Sequence, residues 1–193
     1  MKSKRQLQKE NTRQKIIETA FQVYSKQGFT ATTSTIAKEA GLSHGTIFVH
    51  FPTLNELLIC LIESFGDTLA VEIHTLAEVG NNVEVLLKTH LDILAKYESF
   101  YIRLITERSL LPEDVQMTFA NIQSTIAYHF SNVIKQEIDA QIIKKVPLHM
   151  IFNTWMGLIH YYLINKDFFS PEMPLLDRYS MELIETFLEL IKK

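Results

Sequence analysis

Apolar residues recur every three or four positions through almost the whole chain, and nowhere do they alternate with polar ones over a stretch long enough for a strand. An all-α protein is therefore expected. Ile16, Ile17, Ala20, Phe21, Val23 and Tyr24 form the first stripe, which stops at Gly28, a residue suited to the left-handed turn that closes a helix. Two short patterns follow, Ile36-Ala37-Ala40 and Ile47-Phe48-Phe51, separated by Gly41. Pro52 ends the second, because proline disfavours helical geometry in the residue before it and has no N–H to donate. From Leu54 to about Leu76 the stripe Leu57, Leu58, Leu61, Ile62, Phe65, Leu69 and Ile73 predicts a long helix with Gly66 as its soft point, and Gly80-Asn81-Asn82 reads as the next turn. Further helices are expected over 83–97, 100–110, from Pro112 to about Ile138, from Pro147 to about Asn165, and over 175–191, with Pro112 and Pro147 where a first-turn proline is tolerated.

The two short patterns around Gly41 make a helix-turn-helix. Thr33 or Ser34 is expected to cap its first helix and Ser43 its second, each by accepting a hydrogen bond from a free first-turn amide. The second helix then begins with His44, Gly45 and Thr46, the end that a recognition helix presents to a DNA major groove. Taken with the preceding helix, the run Thr32-Thr33, Ile36-Ala37, Ala40-Gly41, Ser43, Gly45-Thr46, Phe51 and Asn55-Glu56-Leu57 resembles the DNA-binding signature of TetR/AcrR-type transcriptional regulators, from Thr32 through Leu58. The resemblance implies a three-helix DNA-binding head over residues 1–51 and a larger helical body over 52–193 that binds an effector and dimerises. It also implies a sequence-specific regulator, most often a repressor, released from a palindromic operator on double-stranded DNA by a small molecule. A reading from another class keeps the same helices as an all-α carrier or enzyme-like body with a vestigial head.

Charge favours DNA at one end. Residues 1–50 hold eight basic and three acidic side chains, a net +5, whereas the whole chain carries −3, which leaves −8 on residues 51–193. A polyanion is thus expected at the head alone. Residues 1–9, cationic with only Leu7 apolar after Met1, read as a mobile basic arm that adds non-specific attraction to phosphates.

Within the helix-turn-helix, Thr33 and Ser34 are placed to meet a phosphate, while Thr46, Phe48 and His50 would face the duplex from the second helix. His44, Gly45 and Val49 are the base-edge candidates: an imidazole can donate or accept, glycine allows close approach, and valine can touch a thymine methyl. Two positions depart from the family pattern. Phe48 stands where tyrosine is usual and Leu54 where lysine is usual at the start of the next helix, so two backbone contacts are missing. Weaker binding with a shallower salt dependence follows, offset in part by the cationic residues 2–15.

In the body, His90, Tyr101, Gln123, Trp155 and His160 are polar or flat side chains on otherwise apolar faces and form the candidate effector pocket. The last two helices carry more apolar surface than one partner helix can bury, which makes Trp155, Ile159, Tyr162, Tyr179, Leu183 and Phe187 the candidate dimer interface of a four-helix contact. The single Cys60, in a leucine run, reads as packing, and one cysteine allows no internal disulfide. No cofactor, metal or catalytic role is expected: the histidines form no local ligand pair, and no phosphate loop or nucleophile elbow is present. The basic start runs into Glu10, Asn11 and Thr12 without an apolar core, and Asn153, Thr154 and His160 interrupt the most apolar later stretch, so a cytoplasmic protein is expected.

Overall fold

The structure is a computed structural model that describes residues 3–79 and 82–193. Its helices are α1 (Lys4–Gln27), α2 (Thr33–Glu39), α3 (His44–His50), α4 (Leu54–Val79), α5 (Val83–Lys96), α6 (Glu98–Thr106), α7 (Glu113–Asp139), α8 (Leu148–Ile164), α9 (Lys166–Phe169) and α10 (Leu175–Ile191), with a 3-10 turn at Arg108–Leu110. Among the described residues there is no strand, only an isolated antiparallel bridge between Ile143 and Lys192. Neither that bridge nor the four-residue α9 has a periodic signal in the sequence. The expected turn at Gly80 and Asn81 lies outside the described residues; Asn82 caps α5 by accepting from the Val85 amide at 2.9 Å.

Helix starts follow from short polar side chains. Ser3 forms a capping box, its hydroxyl accepting from the Gln6 amide at 3.2 Å while Gln6 Oε1 accepts from the Ser3 amide at 2.8 Å. Residues 4–9 are therefore helical, and not the mobile arm expected from their charge. Thr32, extended at φ −93° and ψ 157°, caps α2 through the Thr35 amide at 3.2 Å. Thr33 and Ser34, the expected caps, already lie beyond it. Ser43 caps α3 as expected, and Gly41 turns the chain between the two helices at φ +63°.

The chain divides into two compact units, one comprising residues up to Ser64 with Ser99–Phe119, the other Phe65–Glu98 with Ala120–Lys193. In the first unit α2 packs on both α1 and α3 over a core of Ile16, Ala20, Tyr24, Ile36, Ile47 and Leu57. Phe29 stacks on Tyr24 with centroids 5.1 Å apart and meets the edge of Phe100. Gly28 closes α1 at φ +75°, and a Cβ there would lie 2.5 Å from Glu107 Oε1, so the bare backbone lets that carboxylate come close. Glu107 uses the approach to accept from the Phe29 amide at 2.6 Å and from Arg103 at 2.9 Å.

Tyr24 carries a cost. Its hydroxyl is buried with no hydrogen-bond partner among the described residues, and burial pushes its pKa up to about 12. Tyr24→Phe should therefore raise the stability of this unit by about 1 kcal/mol, read as a higher denaturant midpoint with an unchanged m-value.

In the second unit α10 packs on α5 and α8, and Trp155 meets Phe187 at a centroid distance of 5.0 Å. Trp155, Ile159 and Phe187 are 0 % exposed and Leu183 3 %. These four are core residues of one chain and not the dimer contact expected of them. The excess apolar surface on α8 and α10 meets α5, whose Leu86, Leu87, Leu91 and Leu94 are fully buried against it. Tyr162 and Tyr179 remain half-buried at the end of α8, where Tyr162 stacks on Phe169 at 4.4 Å. At Gly66 the helix runs on unbroken with the Ile122 side chain against its backbone, so the expected soft point is a packing contact.

Two buried carboxylates hold helix starts from a distance. Glu98 accepts from the amides of both Leu175 and Leu176 at 2.8 Å, opening α10, and Glu137 accepts from the Val83 amide at 2.9 Å, opening α5. These are first-turn amides with no intrahelical partner, and a carboxylate there also favours the positive end of the helix dipole.

Candidate nucleic-acid interface and body cavity

The outer surface of α3 presents what a recognition helix needs. His44, Gly45, Phe48 and Val49 are exposed, Val49 at 71 %, while Ile47 and Phe51 anchor the opposite face in the core. His44 is already positioned: its Nε2 lies 2.9 Å from the Thr33 hydroxyl, and its ring meets the edge of Phe48 at 5.1 Å. That leaves Nδ1 to address a base or phosphate, and it commits the Thr33 hydroxyl to His44 before any phosphate arrives. Ser34 is exposed, Ser43 holds the Thr46 hydroxyl at 2.8 Å, and a Cβ at Gly45 would come no nearer than 4.0 Å to another group, the Ser43 hydroxyl.

His50 is placed differently from the rest. It is half-buried, its Nδ1 turned inward without a partner among the described residues, and its pKa is lowered by burial first and then by the charges of Lys9 and Arg13. Arg13 lies 4.7 Å over the Phe51 ring and directs a guanidinium nitrogen to Cys60 Sγ at 3.1 Å. Cys60, half-buried, thus helps hold a cation beside the C-terminal end of α3. The extended α1 supplies this cluster, and Lys4, Arg5 and Lys9 continue it along exposed helix.

Leu54, where the resembled pattern has lysine, is 39 % exposed at the first turn of α4. A charge there costs no core packing. Leu54→Lys should tighten DNA binding and steepen the slope of log K against log salt by about one per bound chain, measured by titration at several salt concentrations.

The body holds a cavity of about 930 Å³ between α7 and α8, within the range of small-molecule sites. Gln123 and His160, two of the five pocket candidates, line it together with Ser124, Tyr128, His149 and Met156. The other three pocket candidates do not. Tyr101 belongs to the first unit, where it is buried against Phe119. His90 and Trp155 satisfy each other in the core, the indole N–H donating to His90 Nδ1 at 3.0 Å. An apolar helix face marks a polar residue as buried, but the partner that satisfies it lies 65 residues away and leaves no local trace.

Burial, with a smaller contribution from His160, lowers the pKa of His90 to about 4. The folded chain therefore keeps His90 neutral where an unfolded one, titrating near 6.5, would take up a proton. Its contribution is complete above that value and is lost as pH falls toward 4, amounting to about 2 kcal/mol between pH 7 and pH 5. His90→Gln, which can still accept from the indole without titrating, should flatten that part of the stability profile.

The chain therefore combines a capped helix-turn-helix that has an exposed outer face with helices that enclose a cavity, an all-α architecture. Residues 16–60 match the sequence profile of the bacterial regulatory proteins of the tetR family. The chain is 26 % identical over 126 residues to the uncharacterized HTH-type transcriptional regulator YuxN of Bacillus subtilis, a match that takes in 62 % of this chain and 43 % of YuxN. It thus spans about two fifths of the length of the curated relatives it matches first. Among solved structures, the MbdR regulator from Azoarcus sp. CIB is similar with a TM-score of 0.78 and 18 % identity, over 92 % of this chain and 97 % of that one. FadR from Bacillus subtilis in complex with stearoyl-CoA is similar with a TM-score of 0.73 and 17 % identity, over 91 % and 97 %. Residues 16–60 are thus similar to the DNA-binding segment of tetR-family regulatory proteins, and the chain shares the all-α fold of solved regulators of that family.

Proposed function

We propose that this regulator is a repressor that leaves a palindromic operator when a small molecule enters the body. The observation that carries the release step is the cavity between α7 and α8, large enough for a ligand and lined by both apolar and neutral polar groups. That the similar FadR was solved with stearoyl-CoA supports a body that takes a ligand. On the DNA side, Ser34, His44, Gly45, Thr46, Phe48 and Val49 form the contact surface, with Thr33 and Ser43 holding His44 and Thr46 in place. Functionally the division is a DNA-binding head over 1–51 and an effector and dimerisation body over 52–193.

Two copies act together in this reading. The exposed face of α8 carries Met150, Asn153, Thr154, Gly157, Tyr161 and Ile164 without a single charge, and the adjacent α10 adds Met181. An uncharged helix face of this length suits a symmetric contact between copies, and Tyr162 and Tyr179 lie at its edge. Among the described residues no single helix is long and apolar enough to cross a membrane, and a role on DNA supports a cytoplasmic protein.

Selection of bound sequences from a random duplex pool by the purified protein tests the operator. A palindrome with half-sites about one turn apart is expected. A non-repeating half-site bound by one chain would refute the dimeric reading, and binding that responds to salt alone would refute sequence recognition.

A further inference from the structure

The α7–α8 cavity has a neighbour of different character. A second cavity of about 500 Å³ lies against the C-terminal part of α7 and the segment leading into α8, and Leu148 lines both. The α7 residues that line the two, at 120, 123, 124, 127, 128, 131, 135 and 138, recur at helical spacing, so both cavities lie along one face of α7, a groove of about 27 Å. Its chemistry changes along that length. The larger part contains no aspartate, glutamate, lysine or arginine, and burial lowers the pKa of His160, which favours its neutral form. The smaller part has walls of Ile138, Val146, Pro147 and Leu148 and two cations, Lys135 and Lys145. Neither lysine is paired with a carboxylate among the described residues.

A small polar effector would leave most of this length unfilled, and a neutral apolar one would leave the lysines unused. We infer that the groove takes a long-chain amphipathic anion, its acidic head at Lys135 and Lys145 and its chain laid along α7 toward His160. The inference rests on the effector reading above and names the class of effector. The lysines keep their charge near the surface, where an anionic head can stay partly hydrated, while the chain removes apolar surface from water.

Binding to the full chain tests this with hexadecanoate below its micelle concentration, hexadecan-1-ol as its uncharged counterpart and octanoate as its short one, followed through the emission of Trp155 and by calorimetry. One hexadecanoate per chain is expected, with octanoate at least tenfold weaker. Replacing both Lys135 and Lys145 with alanine should weaken hexadecanoate at least tenfold and leave hexadecan-1-ol unchanged. Ala127→Phe, which fills the middle of the groove, should weaken both while the circular dichroism stays that of the parent chain. No hexadecanoate binding at micromolar concentration, or binding indifferent to both lysines and to Ala127→Phe, overturns the proposal. Operator release by an unrelated compound, blocked by Ala127→Phe, would overturn the anionic class and leave the effector reading standing. Hexadecanoate binding that follows the lysines but leaves the operator bound would support the site and overturn its regulatory use.

Discussion

Glu98→Ala should lower the unfolding free energy of the second unit by about 3 kcal/mol, more than the loss of an exposed cap. The carboxylate is 6 % exposed and accepts two amide hydrogen bonds at 2.8 Å. Bonds to a charged acceptor contribute about 1.5–3 kcal/mol each, and alanine would leave both amides of α10 buried and unsatisfied. Glu98→Gln keeps the shape and one carbonyl acceptor, so it should recover part of the loss. Denaturant unfolding monitored through Trp155, which lies in the same unit, would separate the three chains. Equal midpoints for all three would mean that water replaces the carboxylate at no cost.

The second large effect is on DNA. His44→Ala should reduce the preference for operator over random duplex by about a hundredfold while lowering affinity for random duplex far less. A specific base contact contributes about 1–3 kcal/mol of discrimination, and a palindrome read by two heads contains that contact twice. The mutation also frees the Thr33 hydroxyl and removes an edge contact from Phe48, so Thr33→Val provides the control: it removes the same hydrogen bond and keeps the imidazole. If Thr33→Val matched His44→Ala, the ring would act by positioning and not by reading.

How much of this was legible in the sequence depends on how local the determinant is. The helix-turn-helix followed from Ile36, Gly41, Ser43 and Phe51 because caps, turns and stripes are fixed by residues within four positions of each other. Even the start of α1 was written locally, since Ser3 with Gln6 three residues on is a capping-box signature, but the weight of charge in that segment hid it. The body was legible as helices and not as contacts. The stripe through Trp155, Ile159, Leu183 and Phe187 says that these residues are buried, while whether the burying surface is α5 or a second copy is decided by topology. Glu98 and Glu137 left no signal at all, because the amides they satisfy lie 77 and 54 residues away. Gln123 and His160 line a cavity and His90, Tyr101 and Trp155 do not, for the same reason: period locates a face, and only packing decides whether that face meets a cavity.

The contrast between near and distant caps bears on the order in which the chain can fold. Ser3, Thr32 and Ser43 each close a helix start from within that helix's own first turn, so these segments can nucleate as soon as they are synthesised. The first turn of α10 completes only when Glu98, 77 residues earlier, arrives beside it. That start of the last helix is therefore coupled to the packing of the second unit, because its first-turn amides gain their acceptor only when α10 docks.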